Sequence, residues 1–348
     1  MTTTHKKILV TGASGYLASW IVKLLIEQGH IVHATVRSLN DAVKISHLLK
    51  LKALEPKQLI LFEADLLTEN SFDEAIKNCD IVIHTASPYF LDKPKNIQKE
   101  LIDPAVNGTK NVLNSVNKTK SVKRVIVTSS IVTLFNNAKD LCNTPNNKVT
   151  QSGTNTNKDE TYNSYAFSKT RAEQIAWEIS KLNSWDLITV HPGAIFGPSL
   201  SERQDSTSVK MMTQFLNGSF KTGVPNLSLG VVDVRDAAKI HIYSALTPSA
   251  TGKYIAVAET LTLLEVSRLL DIKKLGIKNK LPRKELPKFL IWLISPLIGM
   301  QRKYVSNNVN HPITFENARS ISELGMTYSS TKKTLNEHIE QLVKSGLI

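Results

Sequence analysis

The chain has 348 residues, a formal net charge of +13 and only two cysteines, Cys79 and Cys142. That length can bury one large core or two medium ones unaided. With no CxxC spacing, a disulfide frame and a thiolate metal site are excluded, and a reduced, cytoplasmic protein is expected. The charge invites nucleic-acid binding, but no basic motif interleaved with aromatics appears, so lysine abundance accounts for it.

The N-terminal MTTTHKK runs straight into an apolar stretch and leaves no room for a signal peptide. Residues 8–10 form that stretch, which ends at Gly12; Gly15 and Ala18 then open a helical pattern to about Gln28. Gly29 stops the helix, and Ile31–Val36 leads to Arg37. This is a strand, glycine turn, helix and second strand, one βαβ unit. Gly12 and Gly15 have no Cβ to hold a ligand off, so backbone N–H groups at the helix N-terminus can approach a pyrophosphate. The spacing is G-x-x-G-x-x-A, and its strand–helix–strand context is what points to a dinucleotide. Arg37 stands where an NAD site carries an acid on the ribose 2′-hydroxyl, and a guanidinium instead binds a 2′-phosphate. Lys44, seven residues on, can reach the same phosphate, so the expected cofactor is NADP(H).

Four further apolar runs follow, at 59–62, 81–84, 125–127 and 187–190, with helical patterns at 71–78, 101–117 and 164–182 between them. Such alternation implies an α/β fold with a parallel sheet covered on both faces and ligands at the carboxyl ends of its strands. Polar or small clusters fall at those ends: Asp65-Leu66, Thr85-Ala86-Ser87-Pro88, Thr128-Ser129-Ser130 and Pro192-Gly193. Residues 136–159, rich in Asn, Thr and Lys, read as a long surface loop near the site. Beyond Gly230, residues 231–236 lead into a helix, and the last stretch of chain holds amphipathic helices at 264–270 and 335–343. The apolar stretch 289–300 contains Ser295 and Pro296 and is too short to span a bilayer. A buried helix end or a substrate lid is expected there, and the basic run 273–288 beside it reads by default as a solvated surface.

Tyr165 and Lys169 are four apart and share one helix face. An ammonium beside a phenol favours phenolate, which brings the tyrosine toward a useful acid–base range. Y-x-x-x-K alone arises by chance in a lysine-rich chain; its order after a glycine turn and a Ser-Ser strand end gives it weight. Tyr162 is a decoy, because position 166 is alanine. A second hydroxyl must orient the carbonyl, and spacing leaves both Ser129 and Ser130 as candidates.

The stretches TGASGYLASW, ATVR, ADL, HTASP, PAVNGTKNVL, RVIVTSS, YAFSK, HPGAIFGP and DVRDAAKIH resemble the extended short-chain dehydrogenase/reductases, specifically the dihydroflavonol-reductase-like branch. The resemblance runs along nearly the whole chain. It implies a Rossmann doubly wound sheet, residues 1–191 with about 225–258, and a smaller, mostly α substrate domain, about 192–224 with 259–348. It implies pyrophosphate contacts at Gly12, Ser14, Gly15, Tyr16 and Leu17, 2′-phosphate contacts at Arg37 and Lys44, and adenine contacts at Asp65 and Leu66. Thr85, Ala86 and Ser87 would lie deeper in the cofactor cleft, with Pro192, Gly193 and Ile195 at the nicotinamide. Ser130, Tyr165 and Lys169 would be catalytic, Lys169 also holding the nicotinamide ribose, and Pro88, Tyr89 and Ile131 would touch substrate. The implied reaction is hydride delivery from NADPH to an aldehyde or ketone, by a monomer or homodimer.

Two departures bear on substrate: residues 149–159 lack the acidic-Trp element of the branch, and His191 replaces its commoner asparagine, in a plain hydrogen-bonding role. A nucleotide-sugar epimerase or hydroxysteroid dehydrogenase-type activity, and a non-catalytic NADP sensor, are the competing readings.

Overall fold

The apolar runs become strands of one parallel sheet in the computed structural model, which describes residues 5–87, 96–201, 206–278 and 280–348. The first five are β1 (Lys7–Thr11), β2 (Ile31–Val36), β3 (Leu59–Glu63), β4 (Ile81–His84) and β5 (Arg124–Thr128). A two-residue strand outside this sheet, β6 (Lys148–Val149), precedes β7 (Asp186–Pro192). Then come β8 (Ala194–Phe196), β9 (Ser228–Asp233), β10 (Gly252–Ala256), β11 (Glu259–Thr262) and β12 (Thr314–Phe315). The main sheet has the order β10-β7-β5-β4-β1-β2-β3, every pair parallel.

Parallel strands need crossovers, and helices supply them on both faces. They are α1 (Tyr16–Glu27), α2 (Ala42–Leu54), α3 (Asp73–Ile76), α4 (Asp103–Lys118), α5 (Ser164–Ser180), α6 (Thr207–Asn217) and α7 (Val234–Leu246). Successive strand residues feed opposite cores: Ile8, Val10, Ile81 and Ile83 pack with Ile21 of α1, Ile45 of α2 and Ile240 of α7. Leu9, Val82, Val125 and Val127 pack with Ile76, Val112 of α4 and Ala176 of α5. The helical pattern at 71–78 shrinks to the single turn of α3, while α1, α4 and α5 fall within a few residues of their expected bounds. Strand order reverses between β1 and β4, which opens a crevice at their carboxyl ends.

The rest of the chain is smaller and mostly helical: α8 (Leu263–Leu269), α9 (Lys288–Ile294), α10 (Arg302–Asn308), α11 (Ala318–Leu324) and α12 (Thr331–Lys344). A three-stranded sheet, β11-β9-β8, joins this part to the main body. β9 straddles the two: Val232 packs in a main-sheet core and Val231 in the core under α6, α8 and α12.

Residues 136–159 are no featureless loop. Asn155 donates its side-chain amide to the Val132 carbonyl and its N–H to that of Thr133, while the Asn136 side chain accepts from the N–H groups of Thr156 and Asn157. β6 also pairs with β12, tying the segment to the C-terminal region. Its Asn and Thr side chains replace the backbone partners that a helix or sheet would provide. The expected burial of 289–300 does not hold: Phe289, Trp292, Leu293, Leu297 and Ile298 are exposed, and only Ile291 and Ser295 are buried. Among the described residues, no helix is long and apolar enough to cross a membrane.

Candidate active site

At the switch point, Gly12 has φ +65°, and a Cβ there would lie 3.0 Å from Ala86 Cα and Cβ. Only glycine lets the loop after β4 close against the loop after β1. Thr11 secures that contact: its hydroxyl accepts from the Ala86 N–H at 3.1 Å and bonds His84 Nδ1 at 2.8 Å, and its carbonyl accepts from the Thr85 hydroxyl. Burial pushes His84 down to about pH 3, so its imidazole is neutral. α1 begins at the crevice with Gly15 as N-cap, no side-chain cap and no acid in its first turn. Its leading N–H groups have no intrahelical acceptor, and the helix dipole favours an anion there. Tyr16 points away, its hydroxyl donating to the Gly197 carbonyl at 2.6 Å, so it offers the crevice its backbone alone.

At the other end of the crevice, Arg37 is 85% exposed, with Nε 3.6 Å from Asp65 Oδ2. Lys44 lies in the first turn of α2 and pairs with Asp41 at 2.7 Å. The Leu66 carbonyl accepts from the Asn111 side chain at 2.7 Å, which fixes the loop after β3 against α4. A diphosphate at the α1 N-terminus and a phosphate at the open guanidinium fit these residues.

The candidate reactive groups gather where α5 passes the end of β5. Lys169 is buried one helical turn beyond Tyr165, and its Nζ donates to the Thr128 carbonyl at 2.9 Å. Burial lowers its pKa to about 8, opposed by the carboxylate of Glu173 another turn along α5. Tyr165, by contrast, is 38% exposed. A cavity of about 20 Å³, room for one water, is lined by Lys169, Thr128, Ser129 and Glu173 together with His84, Ala86 and Ser87. It joins the lysine to the loop that closes on Gly12.

The two serines part here. Ser129 turns inward and donates to Glu173, which also accepts from Thr133 at 2.8 Å. Ser130 caps the short 3₁₀ turn that follows, its oxygen 3.4 Å from the Val132 N–H, and its own O–H donates to no described residue.

Sequence reasoning missed Glu173 and Lys253. Lys253, on β10, places Nζ 3.0 Å from Glu173 Oε1. Burial opposes the charge of Glu173, but His191, Lys253 and the hydroxyls of Ser129 and Thr133 hold its pKa below the usual carboxylate value. Burial also lowers the pKa of His191, although Glu173 opposes it; the neutral ring acts by hydrogen bonds, and Lys253 is the standing charge. His191 Nδ1 lies 3.1 Å from the Ser130 carbonyl and Nε2 2.9 Å from the Thr189 hydroxyl, so it braces the serine strand end. The i, i+4, i+8 spacing of Tyr165, Lys169 and Glu173 was the available signal for the acid; nothing local marks Lys253.

Other expected residues have packing duties. A Cβ on Gly193 would come within 2.3 Å of the Gly230 carbonyl oxygen, so this glycine admits the β9 backbone. Pro192 ends β7, and Ile195 packs against the main core. Ile131 is buried with Leu134, Val149 and Ile255. Ser14 lies in the turn before α1, and Leu17 is buried on its inner side. Pro88 and Tyr89 lie outside the described residues.

Residues 8–258 match the model of the NAD dependent epimerase/dehydratase family. The chain is 38% identical over 338 residues to cinnamoyl-CoA reductase CAD2 of Medicago truncatula, covering 96% of this chain and 95% of that one. It is 34% identical to tetraketide alpha-pyrone reductase 1 of Arabidopsis thaliana, covering 98% and 97%. Among solved structures, yeast methylglyoxal/isovaleraldehyde reductase Gre2 complexed with NADPH superposes with a TM-score of 0.81 at 27% identity, covering 98% of this chain and all of that one. With the switch-point crevice, the glycine turn and the Tyr-Lys helix in place, the chain belongs to the NAD-dependent epimerase/dehydratase family, the extended short-chain dehydrogenase/reductases, and fits its dihydroflavonol-reductase-like branch.

Proposed function

We propose that this protein reduces a small aldehyde or ketone with NADPH, with Tyr165 as proton donor and Lys169 and Ser130 as its partners. It is an NADP-dependent oxidoreductase. The observation that carries the finer reading is the placement of Lys169: buried, held by the Thr128 carbonyl, and sharing one small cavity with Ala86 and Ser87.

The N-terminal amides of α1 would bind the cofactor's diphosphate, and Arg37 its 2′-phosphate. Bound NADPH supplies the hydride. Tyr165 gives its phenolic proton to the carbonyl oxygen as negative charge develops there, and the O–H of Ser130 donates a hydrogen bond to the same atom. Lys169 keeps a positive charge near the phenol and favours its release of the proton. Glu173 sustains that charge and, through Ser129 and Thr133, holds the strand end that presents Ser130.

An NADPH-oxidation screen over small aldehydes, diketones and ketoesters tests the reading, with Tyr165→Phe as control. The expected result is turnover that falls about 10²–10⁴-fold in the variant while NADPH affinity stays unchanged. Unaltered turnover in the variant rules out the assigned acid. Tight NADPH binding without turnover on any carbonyl would favour a sensor.

A further inference from the structure

Six large apolar side chains that are exposed crowd into ten residues: Phe289, Leu290, Trp292, Leu293, Leu297 and Ile298, with Leu297 88% exposed. Among the described residues, other large apolar side chains that are exposed are more widely spaced along the chain, as Leu67 and Leu182 are. So many exposed apolar side chains within ten residues are unusual on a water-facing surface. The backbone beneath it is well anchored. Ile291 packs with Val305 and Val309, and the Ser295 hydroxyl donates to the Trp292 carbonyl at 2.8 Å. Lys288 Nζ donates to the Ser306 carbonyl at 2.8 Å, and Gln301 donates to the Thr161 carbonyl. The side chains are therefore held outward by a fixed hairpin, α9 against α10.

Its own sequence is cationic, and Asp159 is an acid that faces it from the neighbouring segment, beside Lys303. From 286 to 315 the sequence has no acidic residue. Arg283, Lys284, Arg302 and Lys303 are exposed in or next to this segment; the Arg302 guanidinium lies 4.4 Å from the centre of the Trp292 ring, and Lys303 Nζ 5.0 Å from that of Tyr162. A tryptophan stacked on an arginine, among exposed apolar side chains on a segment with an excess of cations, matches the chemistry of an anionic bilayer interface. A second copy of the chain would bring this cationic segment against its like.

We propose that the α9–α10 hairpin docks this protein peripherally on an anionic lipid bilayer, with Phe289, Trp292, Leu293 and Leu297 entering the headgroup boundary. The helix has seven residues and lies on the surface without crossing it.

The test is co-sedimentation of the full chain, without cofactor, with vesicles of phosphatidylcholine alone or mixed with phosphatidylglycerol. Binding is expected at least ten-fold tighter to the anionic vesicles and several-fold weaker at high salt. The double substitution Leu293→Glu with Leu297→Glu is expected to abolish sedimentation while leaving thermal stability and NADPH binding unchanged. Arg302→Glu with Lys303→Glu is expected to remove the preference for anionic lipid. No vesicle binding by the unaltered chain overturns the proposal, and so does binding that ignores the leucine substitutions. A dimer in sedimentation velocity that Leu297→Glu dissociates would overturn it in favour of a contact between copies.

Discussion

Around the end of β5, Ser129, Thr133, His191 and Lys253 converge on one buried carboxylate, Glu173. Around α9, apolar side chains point outward with cations nearby. The first region takes polar groups into the interior and satisfies them with one another, which fixes geometry. The second leaves apolar groups in water, which costs folding little because the hairpin is held by Ile291, Val305 and Val309 beneath. Chemistry at the crevice requires rigid, partnered groups. An outward apolar face contributes nothing to folding and is suited to contact with something else.

Three substitutions sharpen or break this contrast. Lys253→Met removes the cation from Glu173 and leaves the carboxylate on hydroxyls and a neutral imidazole. A loss of about 3 kcal/mol is expected from chemical denaturation, because a buried charge that loses its partner retains its desolvation cost. Glu173→Gln acts on rate. In the proposed mechanism Lys169 supports Tyr165 only while protonated, so reduction is expected to slow as pH rises through about 8. Glu173 raises the Lys169 pKa against burial; without its charge the alkaline limb of kcat is expected to move to lower pH, with activity lost first on that limb. A limb that stays in place while thermal stability falls would assign Glu173 a purely structural role. Smallest of all, Leu297→Ser is expected to change stability by less than about 0.5 kcal/mol, as for an exposed position. Equal stability losses at Lys253 and Leu297 would erase the distinction between the two regions.

The alternation of 8–10, 31–36, 59–62 and 81–84 with helical stretches was enough to give the parallel sheet, because residues alternating between two covered faces are apolar throughout. The glycine turn was legible for a related reason: Gly12 occupies a backbone conformation and a gap that only glycine accepts. Polar stretches were harder. Residues 136–159 looked like loop because their order comes from Asn and Thr side chains bonding to backbone elsewhere, which leaves no periodicity. Gly193 read as a cofactor residue and is equally needed by the Gly230 backbone beside it.

Local spacing in the chain determined the strands, the crevice and the face shared by Tyr165 and Lys169, since each follows from backbone period or from the space around a single residue. Which of Ser129 and Ser130 keeps its O–H, which cation meets Glu173 and which side of 289–298 faces water were decided by tertiary structure. A buried polar group is satisfied by whatever distant element packs against it, and an apolar run is buried only if some other element covers it; neither is written in the neighbouring sequence.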